Sequence, residues 1–203
     1  MPELMVLTII VILLALAFDF TNGWHDTANA IATVVGTRTL SPGKAIMMAA
    51  ILNLIGALFF TGVAKAIGND IVDVTNISLL VLIAALVSVI LWNIVTVLIG
   101  LPTSSSHALI GGLIGAAVSY KGVAVLKVHG ILVILLGLVI SPLLGALLSF
   151  LVMKLIQSIF RNRPPSRVKR LFRPLQLFSS AFMAFSHGAS DAQKAMELSG
   201  WRS

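Results

Sequence analysis

The chain is predicted to be all-α, a bundle of helices that crosses a membrane several times. Three observations predict it. Of its 203 residues 58% are hydrophobic and 10% charged, against roughly 45–50% and 25% in soluble domains. The mean hydropathy is +1.05. Several apolar runs reach the ~20 residues that a helix needs to span a bilayer. The same composition excludes disorder, collagen and coiled coil. There are no cysteines, which removes disulfides, thiol chemistry and cysteine metal sites.

Leu4 to Phe18 is the first apolar run. Ala15-Leu16-Ala17 resembles a cleavage site, but the chain opens Met1-Pro2-Glu3 with no Lys or Arg, so the run reads as a retained membrane helix and not a signal peptide. Ala45 to Ala64, flanked by Lys44 and Lys65, is a second span, and Ile77 to Ile99 a third. Ile131 to Met153 is another, with a kink expected near Pro142. Between the last two lies a hydroxyl-rich segment, Pro102 to Ser119. Its apolar part, Ala108 to Val118, would be roughly 17 Å long as a helix, short of the ~30 Å hydrocarbon core. It is expected to be a broken span or a re-entrant arm.

The net charge is +7, and six basic residues lie in one stretch: Arg161, Arg163, Arg167, Lys169, Arg170 and Arg173. In a soluble chain such a run would suggest nucleic acid. Between apolar spans it is accounted for by the positive-inside rule, so it reads as a cytoplasmic loop of a cell-membrane protein, with no nucleic-acid partner. Arg38 and Lys44 favour the same side, and Asp70 and Asp73 fall on the other. Leu4–Phe18 then runs inward, 45–64 outward, 77–99 inward, 103–119 outward and 131–153 inward, with the N-terminus outside.

A repeat lies at an offset of 165. Gly23-Trp24-His25-Asp26-Thr27-Ala28-Asn29-Ala30 aligns with Gly188-Ala189-Ser190-Asp191-Ala192-Gln193-Lys194-Ala195, sharing Gly, Asp and the last Ala. An odd number of crossings separates the copies, so they would be inverted in the membrane, as in many secondary transporters. Residues 1–160 read as a first repeat, 161–174 as a basic linker and 175–203 as the opening of a second, incomplete repeat.

Asp26 needs the most explanation, because an ionised Asp at the bilayer centre costs about 2.5–3.5 kcal/mol. Asn22, Asp26, Asn29 and Thr33 share one helical face at i, i+4, i+7 and i+11, and His187, Asp191 and Lys194 repeat the first three positions. The functional reading is a cavity-facing polar stripe. The bland one is a surface turn capped by Asp26. Pro102-Thr103-Ser104-Ser105-Ser106-His107 is the second constellation. Its hydroxyls and free N–H groups at a helix start suit an oxyanion, or equally an N-cap with hydroxyl packing between helices. Gly111 and Gly115 form a G-x-x-x-G pair, expected to mark close helix packing. His25, His107 and His129 read as satisfied polar residues, and Asn53 and Asn93 as interhelical hydrogen-bonders.

Asn22 to Thr33 resembles the first signature of the PiT family of inorganic phosphate transporters. Pro102 to Gly111 looks like that family's hydroxyl-rich segment, and Ser186 to Lys194 resembles its second-repeat signature. The resemblance implies a non-enzymatic secondary transporter with two inverted repeats, moving phosphate in symport with a cation, sodium or proton. Carried across, the substrate-binding residues are Thr103, Ser104, Ser105, Asn29, Gln193 and Lys194. The cation-coupling residues are Asp26, Asn29 and Asp191, with transported sodium at Asp26 and Asp191 and no resident metal or cofactor. The implied partners are phosphate, the cation, the lipid bilayer, and a second copy or a complementing fragment. Two departures stand out: Ser190 replaces the Asn that usually precedes the second Asp, and the remaining helices of the second repeat are missing.

Charge supports coupling independently. Phosphate beside Asp26 and Asp191 is repelled unless a cation reverses the sign. The alternatives are a sulfate permease of the same family, a non-transporting truncated fragment, and an intramembrane hydrolase. The last lacks both G-x-S-x-G and H-E-x-x-H.

Overall fold

In a computed structural model of the chain, residues 2–59, 71–72 and 78–199 are described, with side chains for 3–59, 71–72 and 78–191. Among the described residues there are six α-helices: α1 Pro2–Gly36, α2 Pro42–Phe59, α3 Leu79–Ile99, α4 Ser105–Lys121, α5 Val128–Phe160 and α6 Pro165–Ser199. Proline opens α1, α2 and α6, where its missing N–H has no intrahelical partner to lose and its fixed φ suits the first helical turn. Four helices, α1, α2, α3 and α5, are long and apolar enough to cross a membrane. The chain is a multi-pass membrane protein.

The first helix runs past the predicted Phe18 to Gly36. No proline interrupts residues 19–36, so the polar stripe from Asn22 to Thr33 rides on the membrane helix itself. At 35 residues it is about 52 Å long, more than the 40–45 Å of a whole bilayer. The second span is described only to Phe59, so the predicted end at Ala64 and Lys65 lies outside the described residues, as do Asp70 and Asp73. Pro142 sits inside α5 without ending it.

The hydroxyl-rich turn is built by the end of α3. Gly100 is left-handed at φ 74°, its N–H donating to Val97 O, while Leu101 N donates to Thr96 O at 2.9 Å. This is the Schellman arrangement, and Pro102 then prevents the helix from resuming. The next helix starts at Ser105 instead of Pro102. Ser104 is its N-cap, accepting from His107 N at 3.4 Å. At 17 residues α4 is about 26 Å long, longer than its apolar part because Ser105–His107 and Ser119–Lys121 are helical too. It returns to the side where α3 begins. Leu126 forms an isolated antiparallel bridge with Val72, and Lys127 N donates to Ile71 O at 2.9 Å.

The main core lies between α1, α3 and α4, with Val11, Phe18, Leu82, Leu86, Val89 and Leu113 all buried. A smaller one, of Ala30, Ala49 and Ala184, joins α1, α2 and α6. Small side chains there let backbones approach, as packing between membrane helices requires. The closest approach is α2 on α6. A Cβ on Gly56 would overlap Phe185 O, and one on Gly188 would overlap the Asn53 backbone.

Three expectations are corrected. Among the described residues a Cβ on Gly111 or Gly115 would meet nothing within 4 Å; Gly112 is the contact, where an added Cβ would stand 2.7 Å from Val89 Cγ2 and 3.0 Å from Ala85 O. The G-x-x-x-G spacing selects a face, but the face touching α3 is its neighbour. Asn53 donates to Ala49 O within its own helix at 2.8 Å, whereas Asn93 does reach across, donating to Thr21 Oγ1 at 3.3 Å. The basic stretch is not a loop: Arg167, Lys169, Arg170 and Arg173 lie on α6, and only residues 161–164 turn.

Candidate functional site

The site forms where α1 crosses α6. Asn22 contacts Asp191, Asp26 approaches His187, Ser180 donates to Ala30 O, and Thr37 donates to Gln176. As numbers rise along α1 they fall along α6, so the helices run antiparallel. The stripe on each helix therefore meets the other. Asn22 Nδ2 donates to Asp191 Oδ2 at 2.7 Å, His187 Nε2 lies 2.9 Å from the same oxygen, and His187 Nε2 lies 3.8 Å from Asp26 Oδ2. Both neighbours of Nε2 in these contacts are carboxylate oxygens, so Nε2 is placed to donate to them when it carries the ring proton.

Both Asp side chains are 18% exposed. One ligand atom from each of Asp26, His187 and Asp191 lies within 4.8 Å of the others. At that separation two carboxylates repel by about 3.5 kcal/mol at an effective dielectric of 20. Asn22 is 1% exposed and its Oδ1 has no hydrogen-bond partner among the described residues, a position that costs free energy unless something else binds the oxygen. Crowded anionic oxygens beside an orphan acceptor suit a hard cation, which prefers oxygen ligands.

The hydroxyls of the α3–α4 turn divide between two places. Ser105, 1% exposed, donates to Asp26 Oδ2 at 3.4 Å. Ser106 lines a cavity of about 250 Å³ with Asp26, Asn29, Met183 and His187. Thr103 and Ser104 turn away. Thr103 Oγ1 accepts from Trp92 Nε1 at 3.2 Å, and both residues line a groove of about 1040 Å³ between α3 and α4. That groove is larger but carries no carboxylate. The smaller cavity, lined by the Asp26 carboxylate and His187, is the better candidate site.

Behind Asp26, α3 holds α1 in place. His25 Nε2 lies 3.1 Å from Asn93 O and 3.3 Å from Thr96 Oγ1. His25 is thus a satisfied polar residue, and its ring points away from the cavity that Asp26 lines.

Of the sequence-predicted site residues, Asp26, Asn29, Ser105 and Asp191 are brought together, and Thr103 and Ser104 are not. Gln193 and Lys194 continue the α6 backbone, but their side chains lie outside the described residues. The residues at this site to which the sequence reading assigned no role are Asn22, His187 and Ser106. The first two were visible on the stripes, one turn before each Asp, and Ser106 by its place in the hydroxyl run.

Residues 22–167 match the sequence profile of the phosphate transporter family. The chain is 44% identical over 200 residues to a Bacillus subtilis (strain 168) protein named "Probable low-affinity inorganic phosphate transporter", covering 98% of this chain and 60% of that one. A Streptomyces halstedii protein of the same name is 44% identical over 185 residues, 90% of this chain and 86% of that one. A solved structure titled "The sodium-dependent phosphate transporter" matches with a TM-score of 0.73 at 26% identity, over 92% of this chain and 55% of that one. The chain thus spans about 60% of the length of the Bacillus relative. All these proteins are named as transporters, not as enzymes. With more than half its residues in the profile, the chain belongs to the phosphate transporter family.

Proposed function

We propose that this chain supplies the cation-coupled phosphate site of a secondary transporter in the cell membrane, working by symport. The observation that carries the reading is the meeting of Asp26, His187 and Asp191 at the crossing of α1 and α6, with Ser105 on Asp26. Two close carboxylates repel an incoming phosphate, so a cation, sodium or proton, has to bind first and reverse the local sign. Asp26, Asn29 and Asp191 are the cation-side residues. Phosphate then takes hydroxyl and amide donors from Ser105, Ser106 and the start of α4, where the helix dipole favours an anion. Thr103, Ser104, Gln193 and Lys194 stay in the reading as donors that would join on closure around the substrate.

The antiparallel crossing supports inverted repeats, because equivalent residues contact each other by exchange: Asn22 meets Asp191 while Asp26 meets His187. Charge supports placing residues 161–173 in the cytoplasm. Arg173 Nη2 donates to Thr39 O at 3.4 Å, so the exit of α1, with Arg38 and Lys44, lies at the same end as the basic stretch.

The test is uptake of labelled phosphate into vesicles holding the purified chain, alone and together with the part of the Bacillus relative beyond the matched length. Uptake driven by a sodium or proton gradient, and not suppressed by excess sulfate, is expected. Uptake by the chain alone would make it, or its homodimer, autonomous. Uptake only with the added part would make it one half of a complemented transporter. No gradient-driven uptake under either condition would refute the proposal.

A further inference from the structure

Between Asp73 and Asp191 the sequence contains no Asp or Glu, yet Lys154, Arg161, Arg163, Arg167, Lys169, Arg170 and Arg173 all fall there. Among the described residues no carboxylate pairs with any of these cations. The positive-inside bias accounts for the side of the membrane they occupy, but not for what neutralises them.

Where α5 passes into α6, the chain forms an open groove of about 830 Å³ lined by Lys154, Gln157, Ser158, Arg161 and Asn162, with Phe160 as an apolar wall. Every polar side chain in that lining can donate a hydrogen bond, and none is acidic. Phe160 also packs edge-on against Phe172 with ring centroids 5.2 Å apart, which ties the end of α5 to the start of α6.

Depth points to the ligand. Lys154 Nζ stands 4.8 Å from the centroid of the Phe150 ring, at the end of the apolar run. Arg161, seven residues later, lies about 10 Å further along the axis. The headgroup layer on each face of a bilayer is roughly 5–7 Å thick, so the two cations bracket it. Among the described residues none covers the most apolar window of α5, which leaves this helix open to lipid up to the groove.

We infer that the groove binds the headgroup of an anionic phospholipid. The phosphodiester lies between the Lys154 ammonium and the Arg161 guanidinium, whose planar fork suits paired phosphate oxygens. The acyl chains lie along α5. Free phosphate offers similar oxygens but no apolar tail for Phe160 and the lipid-facing side of α5, which is why the site is assigned to lipid. This inference does not depend on the transport reading.

The test reconstitutes the whole chain in phosphatidylcholine vesicles with a minor share of phosphatidylglycerol, extracts it in mild detergent and quantifies the lipids that remain bound. Wild type is expected to retain phosphatidylglycerol preferentially, each cation contributing roughly fivefold to the preference. Lys154→Gln/Arg161→Gln should lose it while melting like wild type in phosphatidylcholine alone, and Arg163→Gln should keep most of it. If the paired variant does not assemble, Arg161→Gln alone carries the test, with a drop of roughly fivefold expected. Equal retention of both lipids by wild type, or an unchanged preference in these groove variants, would overturn the lipid site. Release of the bound lipid by millimolar inorganic phosphate would overturn it in favour of a free anion.

Discussion

Neutralising Asp26 isolates the electrostatic core of the proposed coupling. Asp26→Asn keeps an oxygen to accept from Ser105, so the packing at the crossing of α1 and α6 is preserved. The reacting oxygens of Asp26 and Asp191 lie within 4.8 Å of each other, which at an effective dielectric of 20 corresponds to a repulsion of about 3.5 kcal/mol. That repulsion is present with and without the cation and cancels from the binding constant. What does not cancel is the attraction of the cation to the lost charge. A cation held between the two oxygens is nearer to each than they are to one another, so the loss is at least about 3.5 kcal/mol. This weakens cation binding on the order of 300-fold. The assay is phosphate uptake into vesicles as a function of sodium at fixed pH, then of the pH gradient without sodium. Half-saturation for whichever cation drives uptake should rise by two to three orders of magnitude, on the order of 300-fold. The equally exposed Asp191 should respond alike in Asp191→Asn. A cation dependence the same as wild type for both ions would refute the assignment of Asp26.

Three further outcomes separate neighbouring positions. Gly112→Ala should destabilise the detergent-solubilised protein by about 1–3 kcal/mol, because the added methyl meets Val89 and the Ala85 carbonyl, whereas Gly111→Ala, in open space, should be neutral or gain up to about 1 kcal/mol of helix propensity; thermal unfolding of both variants decides it. Gly188→Ala should force α2 away from α6, since its Cβ would overlap the Asn53 backbone, and a melting temperature equal to wild type would contradict that packing. Ser105→Ala should raise half-saturation for phosphate about ten- to hundred-fold, as expected for a lost hydrogen bond to a charged group of about 1.5–3 kcal/mol, while Thr103→Val should leave that for the coupling cation unchanged and instead shift Trp92 emission; uptake titrations and fluorescence report the two effects separately.

The stripes were legible because they need only local geometry. Asn22, Asp26 and Asn29, and likewise His187 and Asp191, sit at multiples of a helical turn, and helical period alone places them on one face. The apolar spans were legible by length. What could not be read was which stripe meets which, since an antiparallel crossing is set by tertiary packing around Ala30, Ala49 and Ala184. Nor could the division of the hydroxyls. Side chains at a helix start fan out around the axis, so adjacent Ser104 and Ser105 face the α3–α4 groove and Asp26 respectively. The basic stretch reads as a loop on charge alone, because clustered Arg and Lys report the side of the membrane and not the backbone. Pro165 at a first helical position, followed by Arg and Lys, which are good helix formers, carried the opposite signal.

The crossing has a consequence for how such a site could work. Both helices are 35 residues long, and the residue one turn before each Asp reaches towards the Asp of the other helix. Neither helix holds a complete site: α1 supplies Asp26 and Asn22, which donates to Asp191, while α6 supplies Asp191 and His187, which lies 2.9 Å from Asp191 and 3.8 Å from Asp26. Rocking α1 against α6 about this point would loosen both contacts together, whichever end of the membrane opens. Under the proposed function, that makes the crossing a natural pivot for alternating access, with the site fixed and the walls moving. The equivalence is positional and not chemical. Asn22 offers a neutral amide where His187 offers an imidazole, and Ser105 reaches only Asp26 among the hydrogen bonds described. The two carboxylates are therefore held by different donors, which under the proposed function would let two ions bind and leave in order.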